Sequence, residues 1–144
     1  MALLYYFAEL NNYAVCGTTN RDEYLQGFFV KYGDGGVDIE PIMHLYKLQV
    51  YQIARFLDVP QEIISRAPSP DTFSLNASDE EMHYRLPIEI LDPLLYAWEN
   101  HIQMADICQS LSLSCEKVEQ IIRDFTSKYK ATRYLRETPD SSLD

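Results

Sequence analysis

Glycine is scarce in this 144-residue chain and confined to one region. All five glycines (Gly17, Gly27, Gly33, Gly35, Gly36) fall within the first 36 residues, so the remainder reads as helices joined by polar loops. Long apolar runs are missing as well. No stretch approaches the roughly 18 to 20 apolar residues of a membrane helix, and no membrane partner is expected. The apolar opening MALLYYFAEL has no basic residue before it and is interrupted by Glu9, which does not fit a signal peptide. Basic residues are few: 12 Lys and Arg face 22 Asp and Glu, a formal charge of −10. That balance excludes a general nucleic-acid binder, since phosphate neutralisation needs a basic surface. The three cysteines, Cys16, Cys108 and Cys115, are odd in number and lack metal-ligand spacing. They are expected to be free thiols in a reducing, cytoplasmic setting. The three histidines, His44, His83 and His101, are scattered and support no metal site.

What is present amounts to one domain's worth of chain, 47% apolar, enough for a packed core. Helical spacing of apolar residues predicts helices over 2–12, 44–58, 87–99, 102–111 and 115–135. Asn20 and Glu23 have capping-box spacing and predict another helix start. Pro60 stops the helix over 44–58 and opens a short helix through Ile64. Tyr13-Ala14-Val15-Cys16, closed by Gly17, predicts a buried strand. Residues 67–71 predict a rigid Pro-flanked loop and 72–79 a polar, mobile one.

Chemistry concentrates near the glycines. Gly17-Thr18-Thr19-Asn20 enters a helix with hydroxyls and free N–H groups at its positive end, a setting for an anion. Glu23 follows in the first turn, where a carboxylate can meet a magnesium ion carried by phosphates; plain capping accounts for the same residues. Lys31-Tyr32-Gly33-Asp34-Gly35-Gly36-Val37-Asp38 is a tight turn rich in charge. Lys31 can reach a phosphate as a mobile point charge, and Asp38 can accept hydrogen bonds from a ligand. Lys47 and Ser69 offer a further cation and a rigidly held hydroxyl; a solvated helix lysine, the commoner fate, and a simple turn also account for them. Lys128, Lys130, Arg133 and Arg136 form an acid-free basic stretch. It reads as an anion contact or as a basic helix end favoured by the helix dipole.

These segments, in this order, resemble NAD synthetase of the ammonia-dependent type. The likeness is carried by Gly17-Thr18-Thr19-Asn20-x-x-Glu23, Gly27-Phe28-Phe29-Val30-Lys31-Tyr32-Gly33-Asp34-Gly35-Gly36-Val37-Asp38, Pro41-Ile42, Leu45-Tyr46-Lys47-x-Gln49-Val50 and Arg66-Ala67-Pro68-Ser69-Pro70-Asp71. It covers residues 1–72 closely and the rest in outline. The resemblance implies ATP-dependent amidation of deamido-NAD to NAD: ATP adenylates the nicotinate carboxylate with magnesium, and ammonia displaces AMP. It implies that Thr18, Lys47 and Ser69 contact ATP, that Lys31, Asp38 and Lys130 contact deamido-NAD, and that Glu23 binds magnesium. Lys130 stands where the family has a His-Lys-Arg stretch, from which Ala131-Thr132-Arg133 departs. A homodimer is implied too, with Leu3, Leu4 and Phe7 buried in it.

The family's Ser-Gly-Gly-x-Asp-Ser pyrophosphate loop is not in these 144 residues. The chain is therefore expected to be the C-terminal half of a doubly wound α/β fold, the Rossmann-like adenine nucleotide alpha hydrolase type. As present it would be mostly helical, with one strand and about six helices. Residues 1–72 would form a motif-rich nucleotide and substrate region, 73–86 a polar loop and 87–144 a helical region. Catalysis by the chain alone is not expected. Two other readings stand beside the enzyme: a catalytically inactive nucleotide-binding or dimerisation module, and a helix-turn-helix over 102–123. The last is disfavoured by Glu116 and Glu119 on its second helix.

Overall fold

A computed structural model describes residues 1–66 and 84–142. The expected loops over 67–71 and 72–79, with Ser69 and the region boundary at residue 72, lie outside the described residues. Among these, the chain forms eight α-helices. It divides into two compact units, residues 1–44 with 123–144 and residues 45–122.

In the first unit, α1 (Ala2–Asn11) ends where Asn12 turns left-handed, φ 53°, and its N–H closes the last turn on Ala8 and Glu9 carbonyls. Asparagine tolerates that conformation because its side chain is short and polar. The expected strand at Tyr13–Cys16 is not formed. One parallel bridge, Cys16 to Ile39, stands in its place, held by Ile39 N–H to Val15 O at 3.3 Å and Gly17 N–H to Ile39 O at 2.7 Å. A parallel strand needs partners along its length, and here the pairing runs out after one residue.

The next helix, α2 (Arg21–Gln26), starts on the expected capping box. Asn20 Oδ1 accepts the Glu23 N–H at 3.1 Å, and Glu23 Oε2 accepts the Asn20 N–H at 2.9 Å. Gly27 ends it at φ 67°, a conformation open to glycine, and a methyl there would overlap the Thr132 side chain. Beyond it the chain folds around the Val30 carbonyl, which accepts N–H groups of Gly33 at 2.9 Å and Gly35 at 3.1 Å. Asp34 Oδ1 accepts the Val30 N–H at 2.7 Å and closes the turn. Ala8, Val15, Leu25 and Phe125 are buried.

The second unit holds α3 (Lys47–Phe56), α4 (Gln61–Ile64), α5 (Ile88–Glu99) and α6 (Met104–Leu111). Tyr46 N–H is capped by Gln49 Oε1 at 3.0 Å, and Leu48 N–H donates to the buried Asp92 at 2.7 Å. These bonds satisfy orphan donors of the first turn of α3. Leu91, Leu94 and Leu95 of α5 are fully buried, the apolar stripe the sequence predicts.

Two expectations are overturned around α7 (Cys115–Ala131). Cys108 and Cys115 form a disulfide with Cα atoms 5.4 Å apart, leaving Cys16 as the free thiol. The left-handed cap Ser112, φ 53°, turns the chain sharply between α6 and α7, so the two cysteines meet. The predicted single helix over 115–135 breaks at Thr132, whose hydroxyl donates to Lys128 O at 2.7 Å. Such back-bonding competes with the regular ladder, and α8 (Arg133–Arg136) follows as a separate turn. No helix among the described residues is long and apolar enough to cross a membrane.

Candidate functional site

The folded glycine turn forms one wall of an open cleft in the first unit, about 590 Å³ in volume. Tyr5 of α1, Lys31, Tyr32, Gly36 and Val37 line it, together with Arg136 of α8. Lys31, Arg136, the Glu137 carboxylate and two phenol rings share this surface, and Lys31 offers its cation to a flat ligand that carries negative charge. The lysine does not wave freely. Its Nζ donates to the Tyr134 carbonyl at 2.8 Å, which leaves two of the three ammonium protons for a ligand.

Asp38 lies next to the wall residue Val37. Its Oδ2 accepts the Val15 N–H at 2.7 Å, and its Oδ1 accepts the Tyr5 hydroxyl at 3.3 Å. Tyr5 has its pKa raised above the ordinary tyrosine value. Partial loss of water around the phenol is the largest cause, followed by the Asp38 charge and the hydrogen bond to it. The phenol therefore stays a neutral donor through the physiological range.

A second polar group gathers before α2. Thr19 N–H donates to Glu40 Oε2 at 3.1 Å, and a methyl on Gly17 would overlap the Glu40 carboxylate, so glycine is required for this approach. Thr19 is 3% exposed, and its hydroxyl, like Glu40 Oε1, has no partner among the described residues. A buried hydroxyl without a partner costs about 1–3 kcal/mol, a penalty that a ligand atom would relieve. Among the described residues no cluster of three metal-ligating side chains occurs.

The family model described as NAD synthase matches residues 1–139. The chain belongs to that family. A protein named NH(3)-dependent NAD(+) synthetase from Rhizobium rhizogenes is 47% identical over 135 residues, covering 94% of this chain and 41% of that protein. The chain thus spans less than half the length of the curated relatives it resembles. Among solved structures, an NMN synthetase from Francisella tularensis superposes with a TM-score of 0.76 at 26% identity, covering 97% of this chain and 51% of that one. An NH3-dependent NAD synthetase from Campylobacter jejuni gives 0.69 at 25% identity, covering 98% and 50%. The fold is accordingly the Rossmann-like adenine nucleotide alpha hydrolase type, about half of it, and mostly helical.

Of the residues that resemblance to NAD synthetase singles out, Lys31 lines the cleft and Asp38 adjoins it. Thr18 is exposed on the loop before α2, and Glu23 is half-buried inside the capping box. Lys130 is exposed near the end of α7 and is not among the cleft's lining residues. The basic stretch reaches the cleft through Arg136 instead. Lys47 begins α3 in the second unit. Sequence reasoning missed three participants: Tyr5, Glu40 and the lining role of Arg136. The sequence did mark Arg136 as part of the basic stretch; Tyr5 and Glu40 carry no spacing signal and are revealed by their partners alone.

Proposed function

We propose that the chain is the substrate-facing portion of an NAD synthetase domain, a cytoplasmic ligase that converts deamido-NAD to NAD with ATP and ammonia. The observation that carries this reading is the cleft built by Lys31 to Val37, with its cations and phenol rings. Lys31 meets an anionic group of deamido-NAD, and Asp38 accepts hydrogen bonds from it. Lys130, exposed near the end of α7 and outside the cleft lining, contacts the same ligand in this reading. Thr18, Lys47 and Ser69 contact ATP. Catalysis in this reading is positioning and charge neutralisation, which act on the barrier without a covalent enzyme intermediate.

Glu23 is the magnesium ligand of this reading. Its Oε2 already accepts the Asn20 N–H, and a carboxylate oxygen has a further lone pair for a cation. The single Glu23 carboxylate in the first turn of α2 fits a magnesium ion that arrives on phosphates, since that ion keeps waters and takes one or two carboxylates. Bound there, it would neutralise phosphate charge. The exposed apolar face of α1, with Leu3 74% and Phe7 58% exposed, supports a homodimer, because patches of this kind mark interaction surfaces.

The 41% coverage of the Rhizobium relative favours a second reading, a catalytically inactive nucleotide-binding or dimerisation module. Pairing the chain with the remaining part of that relative separates the two. The ligase reading expects NAD and AMP in equal amounts from deamido-NAD, ATP and ammonia, and a fall of at least tenfold with Glu23→Gln. A folded complex that yields no NAD supports the inactive module.

A further inference from the structure

α8 is a single turn of four residues, far below the roughly 12–15 residues that an isolated helix needs to persist. Its place is fixed from outside, and one side chain makes most of the contacts. Arg136 Nη1 donates to the Tyr24 carbonyl of α2 at 3.0 Å and to Thr132 Oγ1 at 3.1 Å. Its Nη2 donates to the Tyr129 carbonyl. The guanidinium also lies 4.1 Å from the Tyr129 ring centre and 5.7 Å from that of Tyr24. The forked, planar group reaches these points together; an ammonium cannot. Two residues earlier, the Tyr134 carbonyl accepts the Lys31 ammonium.

We propose that Arg136 is a positioning residue for Lys31. It fastens α8 to α2, and α8 presents the Tyr134 carbonyl that sets the ammonium on the cleft wall. An unanchored lysine spreads over many rotamers and loses that freedom when it binds. Anchored by one proton, Lys31 meets an incoming carboxylate or phosphate with two donors already aimed. The fastening is independent of the ligand's identity; its use in binding rests on the function proposed above.

Amine footprinting tests this on the full chain. Acetic anhydride labels lysines, and peptide mass spectrometry gives a rate for each. In the wild type Lys31 should react several-fold more slowly than the exposed Lys117. Arg136→Ala should raise the Lys31 rate roughly fivefold, the worth of one lost hydrogen bond, with Lys47 and Lys117 unchanged. Arg136→Lys keeps the charge and loses the fork, and should raise it similarly. If Arg136→Ala exposes every lysine, Arg136→Lys decides. Wild-type Lys31 rates in a folded Arg136→Lys variant overturn the proposal. Adding deamido-NAD to the wild type separates the two ideas: no protection of Lys31, with the Arg136 effect intact, counts against the deamido-NAD reading and leaves the fastening standing.

Discussion

Asp38 accepts the backbone N–H of Val15 at 2.7 Å, across 23 residues of sequence. The bond crosses the point where the expected strand shrinks to one bridge, so a side chain does part of the work that a strand ladder would do. A charged acceptor makes a hydrogen bond worth about 1.5–3 kcal/mol. Asp38→Ala should lower unfolding free energy by about 2 kcal/mol, and Asp38→Asn by less, since the amide oxygen still accepts. Urea denaturation measures both. Wild-type stability in Asp38→Ala would show that the bond is not structural.

The second contact of Asp38 gives a pH dependence. Tyr5 has a folded pKa above its ordinary value of 10.0. A group with a raised folded pKa contributes stability that is fully present below its unfolded pKa and lost as pH rises through the folded one. Above about pH 10 the wild type should lose stability faster than Tyr5→Phe, while at neutral pH their difference stays constant. Melting curves across that range check it; parallel alkaline slopes would count against the Tyr5–Asp38 contact.

Gly27 meets two constraints at once, φ 67° and the Thr132 side chain against its Cα. Gly27→Ala should cost more than about 1 kcal/mol, the scale of an ordinary backbone mismatch. Thr132→Gly on that background removes the steric part and should recover some of the loss. No recovery would assign the whole cost to the backbone conformation.

The Cys108–Cys115 bridge closes a short loop between α6 and α7. Reduction should lower stability by about 2 kcal/mol, the low end for disulfides because the loop is short. Alkylation of the denatured chain should give one label without reductant and three with it. Three labels without reductant would contradict the bridge.

Local signals in the sequence carried far in some places. The Asn20–Glu23 capping box forms as its spacing predicts, and the stripe of leucines on α5 is buried. The motifs around Gly17 to Asp38 led to the family, and the family model bears that out. What failed depended on distant partners. The strand at Tyr13–Cys16 lacks companions along its edge. The Cys108–Cys115 pair depends on a left-handed serine that composition does not reveal. Arg136 was visible as charge, but its grip on Tyr24 and Tyr129 is a tertiary fact. Lys130, six residues earlier, was singled out through a family motif that this chain only partly keeps.

The central claim is that the cleft beside Lys31 receives deamido-NAD. Calorimetric titration of the chain with deamido-NAD, with and without ATP and magnesium, tests it most directly. The account predicts saturable binding that favours deamido-NAD over NAD by roughly tenfold, the worth of one charge-assisted hydrogen bond to the extra carboxylate, and that weakens with Lys31→Ala. Equal affinity for the two dinucleotides, or no binding by a chain shown to be folded, would contradict it.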